Sequence, residues 1–300
     1  MRSRHNVFIF ISIFCLLFSQ VQSNQVVLIT GASRGIGYAT AELLGKEGYT
    51  VYAGVRESSL PLITSQAFVR NFNTIQLDVT DQQSIDMAIK KIIDNEGRLD
   101  VLVNNAGIMV YGSIENVTVE EAKKVFDVNF FGVMRTTQAV LPIMRDQKKG
   151  RIIQISSRSG FRPLPSISVY AASKYALEGV SETMAATLKP WNIDVSLVEP
   201  GPVSTDLDFI SPYGSRFHNG IDPYYLIFHN AGLLDPNNPI AQSPQEIALL
   251  IKQIIETEKP LFRYQTTENI KKQAALRFFD ITGNSAVDEW DKVLFPEVKH

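Results

Sequence analysis

Val26-Val27-Leu28-Ile29-Thr30-Gly31-Ala32-Ser33-Arg34-Gly35-Ile36-Gly37 is the stretch whose reading decides the fold. Val26 to Ile29 is a short apolar run, as expected of a buried strand. The glycine-rich turn follows, and then a helix-forming segment through Leu44. A strand, a glycine-rich turn and a helix together make a phosphate cradle. The glycines allow a tight turn and close backbone approach, and the helix N-terminus favours the negative pyrophosphate of a dinucleotide. The spacing is G-x-x-x-G-x-G rather than G-x-G-x-x-G, so the strand-to-helix context carries more of the reading than the glycines do.

Downstream the same alternation repeats. Strands are expected at Thr50–Val55, ending at Arg56, and at Thr74–Leu77, ending at Asp78-Val79. A helix over Gln82–Asn95 leads to a strand over Leu99–Val103 and to Asn104-Asn105-Ala106-Gly107. A long helix from about Val119 to Met144 precedes the apolar run Ile152-Ile153-Gln154-Ile155, which ends at Ser156-Ser157. A further helix starts near Tyr170 and runs to about Leu188, and a strand over Asp194–Val198 leads into Glu199-Pro200-Gly201-Pro202. Alternating strands and helices predict one α/β domain over residues 25–300. Its core is a doubly wound, Rossmann-type parallel sheet with helices on both faces. Each of these loops lies beyond the carboxyl end of a strand, where such sheets bind ligands.

Two segments stand apart. Between about 204 and 243, four prolines and several glycines break up an apolar and aromatic stretch that includes Phe209, Ile210, Tyr213, Phe217, Tyr224, Tyr225, Ile227, Phe228, Leu233 and Leu234. This reads as a small helical lid over a site, and its composition suits a lipophilic small-molecule substrate. Ser243-Pro244-Gln245-Glu246 then opens a helix to about Thr257 with cap, proline and glutamate in the expected places. A helical extension is expected over about 259–300, with Trp290, Leu294 and Phe295 docked on the body. Residues 1–24 have Arg2, Arg4 and His5 before an apolar run from Val7 to Phe18 interrupted by Ser12. That is the layout of a secretory signal peptide, with an uncleaved membrane anchor or a start placed too early as the other readings. A secretory or membrane-associated location is therefore expected, with the cytoplasm as the alternative.

The formal net charge is −2 over 300 residues, with 20% charged and 45% hydrophobic residues, which does not point to a nucleic-acid partner. The single cysteine, Cys15, excludes an intrachain disulfide and a thiolate zinc cluster. His218 and His229 have no carboxylate or histidine at ligand spacing, so no metal is expected.

Chemistry concentrates in Tyr170-Ala171-Ala172-Ser173-Lys174. Residues four apart share one face of a helix, so backbone geometry sets Lys174 beside Tyr170. A free phenol has a pKa of about 10, and a fixed neighbouring cation favours the phenolate. Such a pair can give and take a proton near neutral pH. Ser157 stands thirteen residues before Tyr170, at a strand end from which it can converge on the same point. Ser156 competes for that place, whereas Ser159 reads as plain loop. At the end of the second strand no acid stands at Val55, and Arg56 supplies a cation with Arg34 nearby. That pattern suits the extra phosphate of NADP(H) over NAD(H). Asn116-Val117-Thr118 is a glycosylation acceptor pattern that reads better as a helix cap before Glu120 and Glu121.

Thr30-Gly31…Gly35-Ile36-Gly37, Asn104-Asn105-Ala106-Gly107, Asn129, Ser157, Tyr170…Lys174 and Pro200-Gly201…Val203…Thr205 occur in the order of the short-chain dehydrogenase/reductase family, which this chain resembles over residues 25 to about 206. Lys259-Pro260…Arg263-Tyr264-Gln265-Thr266-Thr267-Glu268 resembles the branch of 17β-hydroxysteroid and retinol dehydrogenases. The resemblance implies an oxidoreductase interconverting a hydroxyl and a carbonyl, usually as a homodimer or homotetramer. It implies that Tyr170 exchanges the proton, Lys174 supports it and holds the nicotinamide ribose, Ser157 binds the substrate oxygen, and Asn129 holds a relay water. For the cofactor it implies Gly31, Ser33, Arg34, Gly35, Ile36 and Gly37 at the pyrophosphate, Arg56 at the adenosine ribose, and Asp78 and Val79 at the adenine. Asn105, Ala106 and Gly107 would lie at the adenosine side, and Pro200, Gly201, Val203 and Thr205 along the nicotinamide. An isomerase, epimerase or lyase of the same fold, or a non-catalytic dinucleotide-binding protein, are the other classes such a chain can represent.

Overall fold

The computed structural model describes residues 25–60, 71–205, 207, 211–218, 221–225, 241–278, 282 and 284. The expectations for residues 1–24, for Phe209, Ile210, Ile227, Phe228, Leu233 and Leu234 in the lid, for His229, and for Trp290, Leu294 and Phe295 fall outside them.

Seven strands form one sheet: β1 (Val26–Thr30), β2 (Thr50–Val55), β3 (Asn73–Gln76), β4 (Val101–Asn104), β5 (Gly150–Ile155), β6 (Ile193–Glu199) and β7 (Arg263–Gln265). Their order is β3-β2-β1-β4-β5-β6-β7 and every pairing is parallel. A parallel sheet is buried on both faces, which is why its strands read as unbroken apolar runs. Successive side chains alternate between the faces. Val26 and Leu28 pack with Ile85 and Ile92 of α2 (Gln82–Glu96), Val140 of α4 (Gly132–Gln147) and Ala185 of α5 (Ser168–Thr187). Val27 and Ile29 pack on the other side with Ala41 and Leu44 of α1 (Gly35–Lys46) and Ile247 and Ile251 of α6 (Pro244–Glu256). Each such Val, Leu or Ile side chain contributes about 2 kcal/mol by leaving water.

The helices begin where local chemistry satisfies their first N–H groups. Asp81 accepts from the Gln83 N–H at 2.9 Å. Thr118 and Ser243 form capping boxes with Glu121 and Glu246, and Thr267 caps α7 (Glu268–Arg277). Asn116 is buried, accepts from the Ser113 N–H at 2.8 Å and donates to Asp222. The glycosylation pattern is therefore a structural corner, as the capping reading had it.

The long helix expected over Val119–Met144 is interrupted. It runs as α3 (Val119–Phe126), a π-helical turn over Asp127–Phe131, and α4. A π turn widens a helix locally and often marks a functional site. Here it turns Asn129 into the interior, where the Asn129 amide donates to the Ile108 carbonyl at 2.9 Å and to Ser173 Oγ at 3.0 Å. β7 was not expected at all: it is three residues long, and its Arg263 and Gln265 point into the protein rather than away from it.

Candidate active site

The glycine turn closes on the loop after β4. Gly31 and Gly35 have φ of +66° and +57°, in the left-handed region that glycine tolerates best. A Cβ on Gly31 would stand 2.7 Å from Ala106 Cα, and one on Gly37 would overlap the Asn105 amide. The Thr30 hydroxyl accepts from the N–H groups of Asn105 and Ala106, both at 3.0 Å. The bare backbone of this turn, at the N-terminus of α1, is a cradle that any side chain would fill, and it fits the pyrophosphate of a dinucleotide. Thr205 closes the cradle from the far side, since a Cβ on Gly35 would come 3.3 Å from its methyl.

Two predicted asparagines turn out to be committed to the protein. The Asn105 amide donates to the carbonyls of Thr30 and Gly31 at 2.9 and 3.1 Å, so only its oxygens can face a ribose. The Asn129 amide has both donors used as described, and its Oδ1 accepts from the Ile108 N–H at 2.9 Å. A relay water therefore has no donor left on that side chain. Asp78 follows β3 and accepts from the Thr80 N–H and hydroxyl. Val79 is buried against Gly132. Arg34 is the half-buried N-cap of α1, and Arg56 is exposed at the end of β2, with Val55 before it buried at 1% exposure.

Tyr170 and Lys174 lie on α5, with the Lys174 ammonium 5.6 Å from the phenol ring centroid. Lys174 is buried and donates to the Ile155 carbonyl at 2.8 Å. Burial pushes its pKa down to about 8, while the charge of Glu178 pulls it back up. A Cβ on Gly107 would stand 3.5 Å from Asn129 Oδ1 and 3.9 Å from Lys174 Nζ, so the loop after β4 meets α5 there. Ser157 caps the short turn Arg158–Gly160, with its hydroxyl accepting from the Ser159 N–H at 3.1 Å. That turn packs on α5 and is tied to it by the Tyr175 hydroxyl, which donates to the Phe161 carbonyl at 2.7 Å. Ser156, the competing serine, is buried and donates to Glu178.

Tyr170 sits in a buried apolar cluster. It packs with Met109 and Ile167, flanked by Tyr111, Leu164 and Leu207. The described lid residues dock on the same loop: Tyr213 lies 5.5 Å from Tyr111 and stacks on Phe217 at 4.8 Å. The loop Pro200–Thr205 is pinned by residues that the motif reading did not mark. Gln242 exchanges backbone hydrogen bonds with Pro202 and Ser204 at 2.9 and 2.8 Å, and its amide donates to the Thr266 carbonyl at 3.2 Å. Their only sequence signal was the run Arg263–Glu268, which resembled the steroid and retinol branch without suggesting a role.

The profile of the short chain dehydrogenase family matches residues 25–209. Retinol dehydrogenase 8 of Bos taurus is 34% identical over 293 residues, covering 90% of this chain and 90% of that protein. Human 17-beta-hydroxysteroid dehydrogenase type 1 is 34% identical over 289 residues, covering 91% of this chain and 87% of that protein. A crystal structure of a short-chain dehydrogenase from Streptomyces avermitilis aligns at a TM-score of 0.72 with 31% identity, over 93% of this chain and 100% of that one. Similar folds carry either nucleotide. A Burkholderia phymatum short chain dehydrogenase/reductase in complex with NAD aligns at 0.71, with 24% identity and coverage of 86% and 94%. ElxO with NADP bound aligns at 0.67, with 25% identity and coverage of 83% and 100%. A glycine cradle that fits a dinucleotide, Tyr170 beside Lys174 on the helix that follows the serine turn, and these matches agree: the chain belongs to the short-chain dehydrogenase family of oxidoreductases.

Proposed function

We propose that the protein interconverts a hydroxyl and a carbonyl on a lipophilic substrate, using NADP(H). The observation that carries the substrate class is the apolar wall of Met109, Ile167, Tyr111, Leu164 and Leu207 around the Tyr170 ring. Ligand sites are mostly apolar with a few placed polar groups, and here those groups are the hydroxyls of Tyr170 and Ser157. The nicotinamide supplies the hydride chemistry when bound. Tyr170 gives its phenolic proton to the carbonyl oxygen in reduction and takes it back in oxidation. The Lys174 ammonium favours the phenolate that this exchange leaves. The Ser157 hydroxyl donates to the substrate oxygen, where charge develops.

The relatives named for retinol and for a 17-beta-hydroxysteroid support a bulky apolar alcohol or ketone as substrate. Across a panel with NADPH, steroid-sized, retinoid and long-chain acyl carbonyls are expected to show kcat/KM about 10²-fold or more above a polar sugar. That margin corresponds to the burial of a few additional methylene groups. Comparable values for the sugar and the steroid-sized ketone would overturn the substrate class.

For location, residues 1–24 are proposed to direct the chain to a membrane or to a lumenal site, since their layout is that of a signal. Among the described residues no helix is long and apolar enough to cross a membrane. Fractionation of the full-length chain checks this, and an intact, wholly soluble cytosolic product would contradict it. The family resemblance supports a homodimer or homotetramer.

A further inference from the structure

Behind the Ser157 turn lies a cluster of charged side chains inside the protein. Glu178 on α5, Glu199 at the end of β6 and Arg263 on β7 are 6%, 0% and 5% exposed. The Arg263 guanidinium donates to both carboxyls through Nη1, and its Nη2 lies 3.3 Å from Glu182. It is sandwiched by the rings of Phe262 and Phe278, at 5.0 and 4.8 Å from their centroids. Gln265 donates to the second oxygen of Glu199. On the catalytic side, the Ser156 hydroxyl donates to Glu178, and Gly160 has no room for a side chain because a Cβ would stand 2.8 Å from Glu178 Oε1. Ser157 is the next residue after Ser156. Lys174 is one turn above Glu178 on the same helix.

Two buried carboxylates share one guanidinium, and the cost of ionising both out of water favours a proton on one of them. Burial and the neighbouring Glu178 push Glu199 up to about 8. Burial raises Glu178 too, with Arg263 and the Ser156 hydroxyl acting the other way. Glu178 also has Lys174 on its own helix, and that cation favours keeping the charge on Glu178 and the proton on Glu199. The charged and titratable groups facing Glu178 are Lys174 and Glu182 from α5, Glu199 from β6 and Arg263 from β7, while β5 offers the Ser156 hydroxyl.

We propose that Glu178 is a positioning residue for the reaction: it fixes the Ser156–Ser157 turn through Ser156 and keeps the Lys174 ammonium charged, and Arg263 holds it in place from the last strand. The role in turnover rests on the function proposed above, whereas the effect on Lys174 is independent of it.

Glu178→Gln tests this in the full-length protein by two readouts. The first is the titration of Lys174, followed by NMR in lysine-labelled protein without cofactor. It is expected to move down by about one pH unit, the effect of losing an opposite charge one helical turn away. The second is steady-state kinetics across pH. The kcat is expected to fall about tenfold or more, with the alkaline limb moving down alongside Lys174 and the cofactor KM within about twofold of wild type. Glu199→Gln copies the protonated carboxyl and should move Lys174 far less. A brace with no catalytic role would lower the melting temperature of Glu178→Gln yet leave kcat and the Lys174 titration at wild-type values, and that result overturns the proposal. If Glu178→Gln does not fold, Ser156→Ala removes only the one hydrogen bond, and a wild-type kcat in that variant overturns it equally. A wild-type protein inactive on every carbonyl tried would refute the proposed function instead, while the Lys174 titration would still decide the role of Glu178.

Discussion

Tyr170→Phe is expected to lower kcat by about 10²-fold or more, the range typical of a positioned acid–base group. The substitution removes one oxygen and keeps the ring that packs with Met109 and Ile167, so the fold and the apolar wall persist. The glycine cradle and the loop after β4 lie on other elements, and binding of the dinucleotide should remain close to wild type. Single-turnover rates together with cofactor titration by nucleotide fluorescence separate the two effects. Near-normal turnover in Tyr170→Phe would remove the phenol from the mechanism and leave Ser157 and Lys174 without a proton donor between them.

Cofactor choice carries the second large effect. Arg56 is exposed at the carboxyl end of β2, the strand end that meets the adenosine ribose in a dinucleotide fold. Arg34 stands at the N-cap of α1, in the turn that leads from the neighbouring strand. A phosphate between two guanidinium groups forms charge-assisted, often bidentate contacts. The wild type is therefore expected to prefer NADPH strongly. Arg56→Glu should reduce kcat/KM for NADPH by about 10–100-fold, the loss of one hydrogen bond to a charged group with repulsion added. NADH, which lacks the extra phosphate, should suffer little. An acid at Val55 would be a poorer probe, because Val55 is 1% exposed and an aspartate there would lose its hydration. Equal use of both cofactors by the wild type, or a preference for NADH, would show that these arginines do not read a phosphate.

Much of this architecture was legible because the signals were local. The buried parallel strands are short apolar runs, the glycine turn needs glycine for steric reasons, and three of the helix starts carry Thr or Ser with an acid in the expected place. The thirteen-residue spacing favours Ser157 over Ser156, but it does not show that the Ser156 hydroxyl is spent on Glu178. What stayed hidden depends on partners far along the chain. β7 is Arg-Tyr-Gln, which no hydrophobic pattern marks as a strand, and it is a strand because Arg263 and Gln265 find Glu199 inside. The π turn in the long helix answers to Ile108 and Ser173, residues on other elements. An asparagine in a motif likewise does not reveal where its amide is spent. For Asn105 and Asn129 it is spent on the protein's own backbone and on Ser173.

The strand order places β1 inside the sheet, third from one edge, with β2 on one side and β4 on the other. During synthesis, β3-β2-β1-β4 can pair once Asn104 has emerged, whereas the serine turn waits for β5 and its brace for β7. Until β5 arrives, β4 is an apolar strand with one open edge, the kind of surface on which nascent chains aggregate or chaperones bind. Long-range parallel pairing also folds slowly, because chain closure precedes the contacts that reward it. A polypeptide ending before Arg263 would lack β7 and the guanidinium between Glu178 and Glu199, so the glycine turn leaves the ribosome well before both Thr205, which closes it, and the strand that braces the serine turn.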